Sequence, residues 1–302
     1  MTQFLDLRLW PVGGELATSV AVHQTPSPAP PLGGNSVDPT TALKNYIQGQ
    51  HVLIGTHGFN VNRADGISCL SNWGQMLRLP PSSVFVGLLW PGDSIWLHGA
   101  DYPEELSVAD QAGMLLGPFL DTNFASAASI SFASHSLGVR VILSAVAHMK
   151  RKVSQLIIMA GAIDDSCLTG EFKSAANSVD KISVLASRED RVLKDLFPIG
   201  NFFGELLEPH HPWFQSALGR SGPSDPTGTA QFVAPYQIPN GWMFDHGDYI
   251  GVAPTPNPRL ALSVNVPGNG SPIPDPDRNP DGTPVAGFKE DFSSSFTSSR
   301  LI

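Results

Sequence analysis

The hydrophobic positions near the amino terminus repeat every second residue. Residues 4–10 alternate leucines with Asp6 and Arg8, which is the period of a half-buried β-strand. Residues 15–24 can pair with this segment as a hairpin, and residues 26–39 form a loop rich in proline, glycine and serine. The pattern therefore predicts an antiparallel hairpin followed by a long connection.

From residue 51 onward, short apolar runs alternate with amphipathic segments. The runs predict strands at residues 52–56, 84–89, 130–133, 156–160 and 182–186. Apolar residues spaced three and four apart predict helices between them, at residues 64–77, 108–119 and 136–149. This alternation is typical of an α/β fold with a mostly parallel central sheet and helices on both faces. In such folds the active site lies at the carboxyl ends of the strands.

The composition limits the number of domains and argues against several classes of binding partner. With 302 residues, of which 41% are hydrophobic, the chain can bury one large core, so we predict one domain at residues 1–252 and a Pro/Gly-rich tail at residues 253–302. The formal charge of -9 argues against nucleic acid and anionic membranes as partners. Cys69 and Cys167 are too few for a disulfide framework, so we expect each to be a small buried side chain.

No targeting or membrane segment is recognised in the sequence. The amino terminus lacks the basic and apolar regions of a signal peptide, and no apolar stretch reaches the length of a membrane span. The expected location is therefore cytoplasmic, without membrane insertion. Residues 91–107 and 196–228 interrupt the strand and helix alternation with several aromatic side chains, and each is either a candidate lid or a surface loop.

The strongest chemical signal is the pentapeptide at residues 134–138, Ser-His-Ser-Leu-Gly, which lies between an apolar strand and an apolar helix. A sharp strand-to-helix turn at such a place projects the central serine hydroxyl from the top of the sheet. The first amides of the helix favour negative charge there. Small residues must flank the turn because strand and helix pass close together, and Gly138 meets that need. We interpret Ser136 as a nucleophile, the alternative being a serine-rich turn that caps the helix.

A second signal, His-Gly-Phe-Asn at residues 57–60, follows the first predicted parallel strand. An acyl-transfer enzyme needs two preorganised donors for its oxyanion, commonly the amide after the nucleophile and an amide from the loop after this earlier strand. That assigns the donors to the backbone amides of Leu137 and Phe59. His57 is interpreted as a structural residue that holds the loop, and Asn60 or Asn62 as a cap of the next helix.

Together these features resemble the α/β-hydrolase superfamily, near its bacterial serine esterase and lipase branches. The resemblance rests on the strand and helix alternation, on His57 and Gly58 in the loop, and on His135 and Gly138 at the turn. It extends over residues 4–252 and leaves out the tail. It implies the α/β-hydrolase fold and a chain order of serine, acid and histidine.

The acid has more than one candidate. Asp190 follows the predicted strand at residues 182–186, where the family resemblance implies the acid, and we assign it this role. Its alternative role is a helix cap or a surface salt bridge. Asp164 and Asp165 remain alternative acids, because some members of the superfamily use that earlier position. The sequence departs from the family pattern at Ser134, where glycine is usual.

The resemblance places the histidine near the end of the covered region. His246 is the last histidine of the chain and lies in a polar turn beside a glycine, so we assign it as the general base. His210 and His211 are alternatives, although the prolines on either side of them are more typical of a rigid loop.

The implied function is that of a serine hydrolase cleaving carboxylic esters. His246 would take the proton from Ser136, Asp190 would orient the imidazole, and water would release the acyl-enzyme. The resemblance implies no metal and no organic cofactor, and a small-molecule ester as substrate. Amidase, thioesterase and acyltransferase activities use the same residues, and a non-catalytic hydrolase-like binding domain is the alternative from another class. The sequence leaves the oligomeric state unknown.

Overall fold

The computed structural model describes residues 2–9, 15–25, 39–77, 79–93, 102–195, 216–225, 228, 232–238, 240 and 245–250. Several predicted features lie wholly or partly outside these residues: the loop at residues 26–38, the tail, the pair His210 and His211, and the parts of the two candidate lids at residues 94–101, 196–215 and 226–227. Both cysteines are buried and unpaired, which confirms their prediction.

A single mixed sheet organises the described part of the chain. Its eight strands are β1 Thr2–Arg8, β2 Leu16–Thr25, β3 His51–Thr56, β4 Ser83–Leu89, β5 Ser129–His135, β6 Val153–Met159, β7 Val179–Ser187 and β8 Phe232–Ile238. Their spatial order is β2-β1-β4-β3-β5-β6-β7-β8. Neighbouring strands are parallel except β1 and β2, which form the predicted antiparallel hairpin. The predicted fold class is confirmed.

Helices cover both faces of this sheet. They are α1 Pro39–Ile47, α2 Arg63–Met76, α3 Tyr102–Asn123, α4 Gly138–Ala147, α5 Lys173–Asn177, α6 Arg191–Asp195 and α7 Leu218–Ser221. Gly55 and Thr56 on β3 point to opposite faces because side chains alternate along a strand. A Cβ on Gly55 would lie 2.5 Å from the Trp73 ring of α2, and a Cβ on Gly138 of α4 would lie 2.9 Å from Thr56. The helices α2 and α4 therefore pack on different faces.

The central strands of the sheet are buried on both faces, which is why their sequences are almost continuously hydrophobic. The central strands β3, β5 and β6 are buried along nearly their whole length, as expected of parallel strands with helices on both sides. Asn62 caps α2 by accepting a hydrogen bond from the Asp65 amide at 2.9 Å, which selects between the two asparagines considered from the sequence. No helix in the described ranges is both long and apolar enough to cross a membrane.

Two elements differ from the sequence prediction. The strand β8 was not predicted, and its Pro235 explains why, since proline cannot donate to a sheet and is tolerated mainly at edges. Here β8 is the edge strand and pairs only with β7 among the described strands. The helix α4 begins at Gly138 and not at Ser136, because Ser136 has a φ of 54° and lies outside the helix.

Candidate active site

The turn between β5 and α4 holds Ser136 in an unusual backbone conformation. Its φ of 54° lies in the left-handed region, which is uncommon for a residue with a side chain. The Ser136 amide donates a hydrogen bond to the Met159 carbonyl of β6 at 3.0 Å, and the Val139 amide of α4 donates to the Ser136 carbonyl at 3.2 Å. Backbone bonds to a neighbouring strand and to the helix therefore hold the turn that the sequence predicts.

Two glycines allow the loop after β3 to approach this turn. A Cβ on Gly58 would lie 2.6 Å from the Cβ of Ser136, and a Cβ on Gly138 would lie 2.4 Å from the carbonyl oxygen of His57. Both distances are well below an ordinary van der Waals contact. Glycine at both positions is thus required by the close packing of the loop against the turn, as expected for Gly138 from the sequence.

Ser136, His246 and Asp190 form a chain of hydrogen bonds. The Ser136 hydroxyl and Nε2 of His246 are 2.8 Å apart, and Nδ1 of His246 lies 2.8 Å from Oδ2 of Asp190. Asp190 is fully buried, and the side chain of His246 is 15% exposed. With an ionised carboxylate, Nδ1–H donates to Asp190, which leaves the lone pair of Nε2 free to accept the serine proton. The structure therefore brings together the three residues that the sequence analysis selected.

Asp190 uses its second carboxylate oxygen to cap a helix. Its Oδ1 accepts a hydrogen bond from the Leu193 amide at 2.8 Å in the first turn of α6, while its Oδ2 faces His246. The cap was considered from the sequence as an alternative to the contact with the histidine, and the structure contains both. One buried carboxylate is consequently held by a helix end and directed at the imidazole.

The turn that carries His246 is joined to the same helix end by Asp245. Oδ1 of Asp245 accepts from the Arg191 amide at 2.9 Å and from the His246 amide at 2.8 Å. His246 itself begins a single turn of 3-10 helix, His246–Asp248. Asp245 was not among the predicted site residues, although an aspartate directly before a histidine in a polar turn was the available signal.

His135 also contacts the His246 turn. Its Nε2–H donates to the backbone carbonyl of His246 at 2.7 Å, and the two imidazole centroids are 4.9 Å apart. His135 is 7% exposed, and its burial, followed by its proximity to His246, lowers the pKa of His135 to about 3. From the sequence, His135 was predicted only as part of the pentapeptide motif, without a contact of its own.

The loop after β3 has its own internal supports. Asn60 has a φ of 58°, and its amide donates to the Gly92 carbonyl at 2.5 Å. Arg8 donates to the Val61 carbonyl at 2.6 Å and forms a salt bridge with Asp93. The loop is therefore tied to the segment after β4 and to β1.

His57 is a structural residue of this loop, as interpreted from the sequence. It is fully buried, its Nδ1–H donates to the Gly58 carbonyl at 2.8 Å, and its ring stacks on Trp90 with centroids 5.9 Å apart. Burial lowers the pKa of His57 to about 3, so the imidazole stays neutral near pH 7. The Trp90 indole NH donates to the His57 carbonyl at 3.0 Å.

The backbone amides of Phe59 and Leu137 were assigned from the sequence as oxyanion donors. Within the residues that the structure describes, neither amide donates a hydrogen bond to a protein acceptor. Phe59 follows Gly58, and Leu137 follows Ser136 directly. Because Gly58 packs against Ser136, both amides belong to the two segments that meet at the serine.

The alternative acids lie on a different loop. The Asp165 amide donates to the Ser216 carbonyl at 2.9 Å, and Asp164 forms a bridge with Ala217. Burial raises the pKa of Asp165, while a side-chain hydrogen bond with Ser224 opposes that shift. The carboxylate against Nδ1 of His246 is that of Asp190.

No cluster of three or more histidine, cysteine, aspartate or glutamate side chains suited to a metal ion occurs among residues whose structure is described.

Known structures resemble this chain weakly. An uncharacterized protein from Bacillus cereus is 15% identical, with a TM-score of 0.38 over 66% of this chain and 55% of that one. Acetyl xylan esterase 1 from Thermoanaerobacterium is 11% identical, with a TM-score of 0.38 over 66% of this chain and 70% of that one. Esterase B from Lactobacillus rhamnosis is 10% identical, with a TM-score of 0.31 over 66% and 70% of the two chains. The chain thus spans little more than half of the Bacillus cereus protein. No curated protein sequence matches the chain.

A sequence family matches more than half of the chain. The match covers residues 38–197, which run from α1 through the serine turn to the end of α6, and the family is described as "Alpha/beta hydrolase of unknown function (DUF900)". This range includes the loop after β3, Ser136 and Asp190, whereas His246 lies beyond it. The parallel sheet, the serine at a sharp turn and this match lead to one assignment: the chain belongs to the DUF900 family of α/β hydrolases.

Proposed function

We propose that this protein is a serine hydrolase that cleaves carboxylic esters through an acyl-enzyme. The observation that carries the proposal is the chain of hydrogen bonds from Asp190 through His246 to Ser136, in which both links measure 2.8 Å. A serine hydroxyl is a weak nucleophile near neutral pH unless an adjacent base accepts its proton. This hydrogen-bond chain supports His246 as that base and Asp190 as the carboxylate that orients it.

The first half-reaction follows from the protonation states of these groups. The lone pair on Nε2 of His246 accepts the Ser136 proton as Oγ attacks the ester carbonyl carbon. The imidazolium that forms is stabilised by the buried carboxylate of Asp190. When the tetrahedral intermediate collapses, Nε2–H gives its proton to the departing alcohol, and the acyl group remains on Ser136.

The oxyanion of the tetrahedral intermediate needs donors that are already in place. The amides of Phe59 and Leu137 are the proposed donors, because both flank the contact between Gly58 and Ser136 and neither is used by a described protein acceptor. Water then attacks the acyl-enzyme with His246 as base, and the acid product leaves by the reverse proton transfers. No step requires a metal or an organic cofactor.

The charge of the chain bears on the substrate. A net charge of -9 repels polyanionic acyl donors over long distances, so a neutral ester is favoured over a thioester that carries several phosphates. A small-molecule carboxylic ester is therefore the proposed substrate class.

The proposal is tested with an active-site label and a substrate panel. A fluorophosphonate should form a stable adduct on the peptide that contains Ser136, detected by mass spectrometry, and chromogenic esters of several acyl lengths should be hydrolysed. Ser136→Ala should abolish both signals. Ser134→Ala is the matched control, since Ser134 donates its hydroxyl to the Ile157 carbonyl at 3.3 Å and takes no part in the proposed reaction.

Two results would contradict different parts of the proposal. Absence of both labelling and turnover in the wild-type protein would remove the enzymatic function and leave a binding domain. Labelling at Ser136 with hydrolysis of amides or thioesters, but of no carboxylic ester, would retain the nucleophile and overturn the substrate class.

A further inference from the structure

His135 lies at the end of β5, directly before the serine of the turn. Its side chain leaves the strand on the same side as Gly55, because residues paired across the parallel strands share a face and Ala133 pairs with Gly55. Its Nε2–H donates to the His246 carbonyl at 2.7 Å, although the two residues are 111 positions apart. This bond is a direct link between the serine turn and the turn that carries the proposed base.

The imidazole of His246 is fixed at both nitrogens, but these bonds alone do not fix its backbone. The ring bonds with Asp190 and Ser136 orient the plane of the imidazole. The backbone of residue 246 has two further described bonds: its amide donates to Asp245, and its carbonyl accepts from His135. The bond to Asp245 is local to the turn, whereas the bond to His135 reaches the strand that ends at the nucleophile.

The chemical nature of His135 suits this contact. An imidazole held neutral by burial donates through Nε2–H without placing a second positive charge beside the imidazolium that His246 becomes during the reaction. Among the described residues, the ring of Tyr249, with its centroid at 6.1 Å, and His57, which burial also keeps neutral, lie near His135 as well. A lysine or arginine at this position would add charge next to the base.

We propose that His135 is a positioning residue that holds His246 at hydrogen-bonding distance from Ser136 by donating to its backbone carbonyl. This inference rests on the proposed function, because it assigns His135 a role in the reactivity of Ser136. A misplacement of about 1 Å between reacting groups can cost about 100-fold in rate. Loss of this hydrogen bond should therefore lower the labelling rate of Ser136 strongly and the melting temperature only slightly.

The test compares two substitutions that separate the donated hydrogen bond from the ring. His135→Phe keeps an aromatic ring but removes the donor, and His135→Gln keeps an N–H donor at a similar distance from the backbone. The measured quantities are the second-order rate constant of fluorophosphonate labelling at Ser136 and the melting temperature. His148→Phe is the matched control, since His148 is an exposed histidine at the end of α4.

We expect His135→Phe to label about 10- to 100-fold more slowly than wild type, and His135→Gln to recover to within about fivefold of it. His148→Phe should label at the wild-type rate. The inference is overturned by His135→Phe labelling within threefold of wild type, or by Phe and Gln slowing the reaction equally. Wild-type protein that does not label at all contradicts the proposed function instead.

A spectroscopic measurement on the wild-type protein covers the case in which the variants do not fold. With nitrogen-15 in the histidine rings, NMR should report His135 as the neutral Nε2–H tautomer from pH 8 down to pH 5. An Nδ1–H tautomer, or protonation of His135 within that range, would overturn the inference whether or not Ser136 reacts.

Discussion

Replacing Gly138 with alanine tests whether the close approach of the serine turn to the loop after β3 controls reactivity. A Cβ at this position would lie 2.4 Å from the His57 carbonyl oxygen and 2.9 Å from Cγ2 of Thr56. The first distance is about 1 Å short of an ordinary contact. Because the carbonyl belongs to the backbone, relief requires α4 to move away from the end of β3.

The size of that movement gives two expected magnitudes for Gly138→Ala. Overpacking of this kind costs about 1–3 kcal/mol of folding free energy. The same shift separates the Leu137 amide from the Phe59 amide, and a displacement of about 1 Å should lower the rate of fluorophosphonate labelling about 100-fold. The two measurements are labelling at Ser136 and unfolding in urea.

Gly74→Ala separates loss of stability from loss of reactivity. A Cβ on Gly74 of α2 would lie 2.5 Å from the Phe85 ring, which is a comparable overlap at a distance from the serine. This variant should lose stability yet label at the wild-type rate. If Gly138→Ala also labelled at the wild-type rate while losing as much stability as Gly74→Ala, the reasoning about the two amides would be refuted.

Three further predictions concern the acid, a partly buried ion pair and the dependence of stability on pH. Asp190→Asn should lower the labelling rate about 1,000- to 10,000-fold because it alters the tautomer of the base, while Asp165→Asn should label normally; the opposite pattern would reassign the acid. Arg8→Met should cost about 1–3 kcal/mol in urea unfolding because it leaves the partly exposed Asp93 without the cation of its salt bridge, and a loss below about 0.5 kcal/mol would contradict this. The pKa of His135 is about 3 in the folded protein and 6.5 in the unfolded chain, so the unfolded chain binds more protons between these values and stability falls as the pH falls below 6.5. Between pH 6 and pH 5 the loss of folding free energy from this titration amounts to about 1 kcal/mol. The stability of His135→Gln should therefore fall by about 1 kcal/mol less than that of wild type over the same interval.

Much of the fold could be predicted because the relevant signals are local. Parallel strands buried on both sides give short apolar runs, and all five of those runs are strands in the structure. The strand β8 escaped prediction because its Pro235 and its position at the sheet edge remove that signal. The first residue of α4 also differed from the prediction, since hydrophobic periodicity cannot reveal that φ is positive at Ser136.

The candidate site was predictable to the extent that it follows chain order. Ser136, Asp190 and His246 could be selected because each follows a recognisable element or lies in a polar turn. The hydrogen bonds between Asp245 and the Arg191 amide, and between His135 and the His246 carbonyl, could not be predicted, since each joins segments distant in sequence. Such contacts depend on how segments meet at the carboxyl ends of the strands, and a single sequence carries no periodicity that reveals this.

The position of β8 late in the chain has a consequence for when the proposed triad can assemble. During synthesis from the amino terminus, the ribosome releases Ser136 and Asp190 long before residue 246. Among the described strands β8 is the last along the chain, it pairs with β7, and the turn that carries His246 follows it. On the proposed mechanism, a nascent chain that ends before residue 246 lacks the base and should not be labelled at Ser136.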